Sequence, residues 1–121
     1  MKKIHLPNIG KIEIFHKKQS KLYITTLAFI QNYIPSIKYY NDNLLFERKI
    51  QPETLTPIIN IYDLQLKQIE KVDSASILHH TYLLKRVLEI NNAINPENKA
   101  YIMNVGSGEI EDIVLKQIEK D

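Results

Sequence analysis

The stretch YIPSIKYYND, residues 33–42, constrains the fold of this chain more than any other feature. In the preceding residues 22–33, apolar side chains recur at helical spacing, and Ser20 is a suitable N-cap. Pro35 lacks an amide hydrogen and disfavours helical geometry in the residue before it, so we expect this helix to end at about Tyr33. The letters SIKYYND then alternate, which predicts a strand directly after the helix.

Further strand patterns lie on both sides of this segment. They are KIEIFH (residues 11–16), LLFERKI (44–50, with Leu44, Phe46 and Ile50 inward), IINIYD (58–63, a central strand) and LKQIEKVD (66–73, a polar edge strand). The strand KIEIFH, the helix and the strand over residues 36–42 in succession predict a right-handed crossover between two parallel strands.

A second helix is expected after this group of strands. Asp73 or Ser74 can cap it, and its buried stripe is predicted to be Ile77, Leu78, Thr81, Leu84 and Leu88. Beyond Pro96 we expect a short extended piece, a glycine turn and an amphipathic helical tail with Glu109, Glu111 and Asp112 in its first turn. The order β-α-β-β-β-β-α predicts an α/β, thioredoxin-like domain over residues 1–95, with a mixed central sheet and flanking helices, and a C-terminal extension over residues 96–121.

The residues that carry catalysis or bind metals are not found in suitable patterns. The chain has no cysteine, which excludes a redox-active pair and thiolate metal sites. His79 and His80 are adjacent and would diverge by about 100° on a helix, and no spacing typical of metal ligands includes His5 or His16. The sequence GSGE lacks the lysine of a phosphate-binding loop. We therefore expect no catalytic residue, no metal site and no cofactor, and a protein that is not an enzyme.

The charges are unevenly distributed along the chain. Residues 1–21 carry six lysines against one glutamate, whereas residues 109–121 carry five acidic residues against two lysines. Together with the aromatic stretch around residue 39, this favours an RNA-binding surface, although solvated lysines and packed tyrosines are the alternative. The predicted RNA contacts are Lys2, Lys3, Lys11, Lys17, Lys18, Lys21, Lys38, Tyr40, Asn41, Arg48 and Lys49.

The run FIQNYIPSIKYYNDNLLFE, residues 29–47, resembles a family of small thioredoxin-like domains. That family is shared by mitochondrial ribosomal proteins and an accessory subunit of respiratory complex I. The matching pattern is an aliphatic residue and proline, alternating apolar residues, and Asn41, although Asp42 stands where the family usually has proline. The basic start and the stretch YIMNVGSGEI are similar to the small fungal member of the large ribosomal subunit.

The resemblance implies a non-catalytic structural protein of the mitochondrial ribosome, in the large subunit by preference. Its implied partners are ribosomal RNA and neighbouring mitochondrial ribosomal proteins in the matrix. No apolar run approaches the roughly 18 residues of a membrane helix, so no membrane insertion is expected. The alternative is the complex I accessory subunit, which would be a protein-docking module without RNA.

Overall fold

The computed structural model describes residues 2–18, 23–53 and 56–111. Its strands are β1 (Lys2–His5), β2 (Ile9–His16), β3 (Leu45–Ile50), β4 (Ile58–Asp63), β5 (Gln68–Asp73), β6 (Tyr101–Asn104) and β7 (Ile110–Glu111). The α-helices are α1 (Ile24–Tyr40) and α2 (His80–Ile94), and a 3₁₀ turn covers Ser74–Ser76. No helix among these residues is long and apolar enough to cross a membrane.

The strands form two sheets. A mixed four-stranded sheet has the order β3-β2-β4-β5, and a three-stranded sheet has the order β1-β6-β7. In the larger sheet β2 and β3 are parallel, with α1 as their crossover, while β4 and β5 add antiparallel neighbours. The predicted α/β class, the internal position of β4 and the edge position of β5 are confirmed. The predicted crossover from residues 11–16 to a strand over residues 36–42 is wrong, because the parallel partner of β2 is β3.

The predicted end of the first helix is wrong, because α1 continues through Pro35 to Tyr40. The strand expected over residues 37–41 is therefore part of the helix. Pro35 is exposed, so its ring lies on the solvent side, and water can bond to the carbonyl of Gln31 that lacks an amide partner. On the other side Ile34 and Ile37 are buried in the core, and their burial offsets the local cost of the proline. The predicted N-cap Ser20 lies outside the described residues.

The core lies between the helices and one face of the four-stranded sheet. β2 and β4 contribute isoleucines at alternate positions, which are fully buried against apolar residues of both helices. These core residues are Ile12, Ile14, Ile59, Ile61, Phe29, Ile37, Leu83 and Val87. In β3 and the turn before it, Leu44 is buried and Phe46 is partly buried as expected, but the inward prediction for Ile50 is wrong, since it is 54% exposed at the end of an edge strand.

The second helix starts later than predicted. Asp73 accepts from the Ala75 amide and so caps the 3₁₀ turn, while α2 begins at His80 with His79 as its N-cap. Leu84 and Leu88 are buried as predicted. Leu78 is 92% exposed, because it precedes the helix and does not share its buried face.

The small sheet joins the two ends of the described chain. β1, which the sequence pattern did not indicate, pairs antiparallel with β6, and the Asn8 side chain donates to the carbonyls of Asn91, Asn95 and Asn98 at the end of α2. Residues 110–111 form β7 after a turn, so the helical tail predicted to start here is wrong at these positions. Asp112 and the rest of the predicted tail lie outside the described residues.

Gly10 lies at a point of close approach between β2 and the end of β4. A Cβ atom at this position would lie 2.3 Å from the Asp63 carbonyl oxygen and 3.0 Å from the Leu64 Cα. A register shift between residues 9 and 11 accompanies this contact. Glycine is therefore required here for close approach of two backbones, not for an unusual φ angle.

Candidate nucleic-acid interface

The carboxyl ends of β2 and β3 lie side by side, because the two strands are parallel neighbours. The Gln51 amide after β3 donates to the His16 carbonyl at the end of β2 over 2.9 Å. Lys17 and Lys18 follow β2 directly, and Arg48 lies near the end of β3. We call these three cations the basic edge. The carboxyl ends of parallel strands are also where open α/β sheets commonly bind ligands.

Arg48 is held by two stacked rings. Its Nε atom lies 2.9 Å from Nε2 of His16, and its guanidinium carbon lies 5.6 Å from the centre of the Tyr23 ring. The His16 and Tyr23 rings stack with centroids 3.9 Å apart and planes 12° apart. Both rings are buried, whereas Arg48 is exposed. The guanidinium is therefore held in place by two buried rings while it remains accessible to a ligand.

Tyr23 contacts Arg48 through the face of its ring and not through a hydrogen bond from its hydroxyl. Among the described residues none is a hydrogen-bond partner of its buried hydroxyl. Burial raises the pKa of Tyr23, and the positive charge of Arg48 opposes that rise. The ring is therefore neutral near pH 7, and its face attracts the guanidinium as a cation–π partner.

Lys11 and Lys49 lie on the other face of the sheet, in a network with two glutamates. The Lys11 ammonium is 3.5 Å from Glu13 and 3.4 Å from Glu47, and the Lys49 ammonium is 3.3 Å and 3.4 Å from the same two carboxylates. Glu13 is buried and also accepts from the Tyr62 hydroxyl over 2.9 Å. Two positive and two negative charges balance here, so these two predicted RNA contacts already have acidic partners within the chain.

The pKa shifts of this network favour its charged form. Burial alone would raise the pKa of Glu13, but hydrogen bonds from Tyr62, Asn60 and Lys49, together with the charge of Lys11, lower it overall. A hydrogen bond to Glu13 raises the pKa of Lys49, and the same carboxylate raises the pKa of Tyr62. The network is therefore ionised at neutral pH and contributes no net positive charge to this face.

Asn41 has an internal role at the end of α1. Its side-chain amide donates to the carbonyls of Ile4 and Ile37 over 2.7 Å and 2.8 Å, and its side-chain oxygen accepts from the Leu6 amide over 2.9 Å. These bonds cap the helix and fasten it to β1. The asparagine that was predicted to contact RNA thus joins two elements of the fold.

The predicted aromatic contact, Tyr40, is half-buried and packs edge-on against Tyr39 with ring centroids 4.8 Å apart. Tyr39 is 68% exposed and is the more accessible ring of the two. Tyr40 is the predicted contact because a strand in this segment would turn Tyr39 and Tyr40 to opposite faces. A helical phase continued from Ile34 and Ile37 would have put Tyr39 on the solvent side.

The predicted RNA contacts therefore fall into separate groups. Lys17, Lys18 and Arg48 form the basic edge, Lys11 and Lys49 are ion-paired, and Lys2, Lys3, Lys38, Tyr40 and Asn41 lie in β1 or at the end of α1. Lys21 lies outside the described residues. The helix from Ile24 to Tyr40 is about 25 Å long, so roughly this distance separates the basic edge from Tyr40 and Asn41 at the far end of α1.

The adjacent histidines differ from the sequence prediction. His79 has an extended backbone before the helix, so its ring contacts that of His80 with centroids 4.1 Å apart, and the predicted divergence is wrong. The Nδ1 atom of His80 lies 2.7 Å from the Tyr33 hydroxyl. Burial lowers the pKa of His80, and the proximity of His79 lowers it further. In the part of the chain that the structure describes, no three His, Asp or Glu side chains are grouped to hold a metal ion.

A shallow apolar groove lies between α1 and the edge strand β3. Its volume is about 480 Å³, and its lining residues are Ile30, Ile34, Pro35, Lys38, Tyr39 and Phe46. The neighbouring Leu45 and Ile50 of β3 are more than half exposed. This side of the molecule presents apolar surface and the edge of β3 that no other described strand covers, which are features of protein-docking surfaces.

Neither the models of known protein families nor the sequences of curated proteins match this chain. The family resemblance of residues 29–47 therefore depends on the motif itself. In the structure this motif covers the second half of α1, the turn that follows Asn41 and the start of β3.

Proposed function

We propose that this protein is a non-catalytic structural constituent of the mitochondrial ribosome, in the large subunit, that docks on ribosomal RNA and neighbouring ribosomal proteins in the matrix. The observation that carries the RNA-binding part is the basic edge, where Lys17, Lys18 and Arg48 lie together without a described acidic partner. The ribosomal and mitochondrial context comes from the resemblance of residues 29–47.

The strand arrangement supports a thioredoxin-like domain. The parallel unit β2-α1-β3 is followed by the antiparallel strands β4 and β5 and then by α2. A parallel βαβ unit followed by antiparallel strands and a closing helix is the thioredoxin-like arrangement, although three strands and not the predicted four lie between the two helices. Such a domain without cysteines keeps the scaffold and has no redox-active pair.

The proposed mechanism is electrostatic docking of a preformed surface. The basic edge neutralises phosphates at the carboxyl ends of β2 and β3. Contacts to phosphates fix position and orientation without reading sequence, which suits a protein held at one place in a large RNA. The ion-paired face of the sheet plays no part in this attraction.

The alternative is an accessory subunit of respiratory complex I, and the apolar groove favours it. A groove lined by Ile30, Pro35, Tyr39 and Phe46 beside an open strand edge suits a protein neighbour. In the ribosomal proposal the same groove is the contact with a neighbouring ribosomal protein. The two functions differ in whether the basic edge meets RNA.

Sedimentation of the native protein distinguishes the two functions. An organelle extract is separated on a density gradient, and each fraction is probed for this chain, ribosomal RNA and respiratory complexes. Migration with the large ribosomal subunit, and release at high salt, support the proposal. Migration with a respiratory complex, unchanged by ribonuclease treatment, supports the alternative and overturns the ribosomal function.

A further inference from the structure

The two nitrogens of the His16 ring have defined roles. Nδ1 is within hydrogen-bond distance of the Lys17 carbonyl oxygen, which can only accept, so this nitrogen carries a hydrogen. Nε2 faces the Nε–H group of Arg48 at 2.9 Å, so this nitrogen accepts. Both contacts fit one neutral tautomer, with the hydrogen on Nδ1.

We propose that His16 and Tyr23 are positioning residues that hold Arg48 as a preorganised fork for an RNA phosphodiester. The inference deepens the proposed function and rests on it. Nε of Arg48 donates to His16, and the guanidinium carbon lies 5.6 Å from the centre of the Tyr23 ring. The two terminal nitrogens of the fork remain for the two oxygens of one phosphate, which is the bidentate geometry that arginine provides and lysine does not.

The two arginines of the chain are used differently. Arg86 on α2 is paired with Glu70 at 3.3 Å and with Glu89 at 3.8 Å. No carboxylate among the described residues lies within ion-pair distance of Arg48, whose neighbours at the edge are Lys17 and Lys18. A guanidinium that is held in place, has no described carboxylate partner and lies at the same strand ends as two lysines is well placed for an external anion.

Because Arg48 is already held in place before binding, it should contribute more to RNA affinity than Lys17 or Lys18 does. Immobilising a side chain only on binding lowers affinity by roughly two- to tenfold, and the His16 bond has already restricted Arg48. Lys17 and Lys18 have no described ion-pair partner and retain more rotamers to lose. We therefore assign the largest single contribution to RNA affinity at this edge to Arg48.

The test measures binding of the full chain to a short fluorescent RNA duplex of mixed sequence, over a series of salt concentrations. Arg48→Gln should lower affinity about tenfold and reduce the magnitude of the log affinity against log salt slope by about one. Arg48→Lys and His16→Phe keep all phosphate-binding charges, so each should lower affinity about fivefold with the slope unchanged. The matched control is Lys67→Gln, which removes one exposed charge in the turn between β4 and β5, at the other end of the sheet, and should change neither quantity.

The outcomes separate this inference from the proposed function. Absence of salt-sensitive binding by the wild-type chain overturns both. If the wild type binds RNA but Arg48→Gln has the same affinity as Lys67→Gln, the role of Arg48 is overturned. The proposed function is unaffected by that result. Binding by His16→Phe equal to wild type overturns the positioning role. Thermal unfolding of each variant shows whether it is folded, and Arg48→Lys, which alters no buried side chain, tests the fork if His16→Phe fails to fold.

Discussion

Replacing Pro35 with alanine tests whether α1 is continuous. An interior proline makes a helix about 3 kcal/mol less stable than alanine does, because it removes one backbone hydrogen bond and its ring crowds the preceding turn. Alanine gives the unfolded chain more freedom, which costs about 0.4–1 kcal/mol. Pro35 is exposed at position 12 of the 17-residue helix, so little buried area changes. The expected net stabilisation of the folded state is about 2 kcal/mol.

This gain corresponds to a measurable shift in melting temperature. Unfolding of 121 residues at about 2.1 cal/mol/K per residue has an entropy of about 0.25 kcal/mol/K, so Pro35→Ala should raise the Tm by roughly 8 °C. Circular dichroism at increasing temperature measures it. The control is Pro52→Ala in the exposed turn after β3, which loses only the entropic benefit of proline and should lower the Tm slightly. If Pro35→Ala also lowers the Tm, the helix ends before Pro35 and the described α1 is refuted.

Two further variants test the contacts of β2. Gly10→Ala should destabilise the protein by about 3 kcal/mol in urea unfolding, because its Cβ would lie 2.3 Å from the Asp63 carbonyl oxygen; an unchanged midpoint would show that the two strands are farther apart. The folded-state pKa of Glu13 is lowered, so its stabilising contribution is present above the ordinary value of 4.5 and is lost as the pH falls through the folded pKa. Glu13→Gln should therefore be less stable than wild type at pH 7, with the gap narrowing under acid; a constant gap would contradict the ionised network.

The strands of the larger sheet could be predicted from the sequence because their signals are local. Alternating apolar residues and polar turns identify β2 to β5. The parallel pairing of β2 with β3 was not predicted, because the local pattern of residues 36–42 also favours a strand and would place it beside β2. The end of α1 could not be predicted from local rules. Pro35 is a strong helix breaker on its own, yet the burial of Ile34 and Ile37 and the cap from Asn41 extend the helix past it. β1 was missed because four residues gain their partner only from β6, far along the chain.

Part of the candidate interface could likewise be predicted. Once β2 and β3 are parallel and in register, the proximity of Lys17 and Lys18 to Arg48 follows from their positions near the strand ends. The stacking of His16 on Tyr23 depends on how the chain enters α1, and no spacing in the sequence indicates it. The ion pairing of Lys11 and Lys49 could not be predicted either, because it depends on which residues face each other across β2 and β3.

The most direct test of the central claim is ultraviolet crosslinking of the native particle, with nucleotide-modified peptides identified by mass spectrometry. If the protein docks through the basic edge, RNA adducts should occur on peptides that contain residues 16–18 and residue 48. Protein–protein crosslinks at these positions without any nucleotide adduct, or adducts confined to other parts of the chain, would contradict the account.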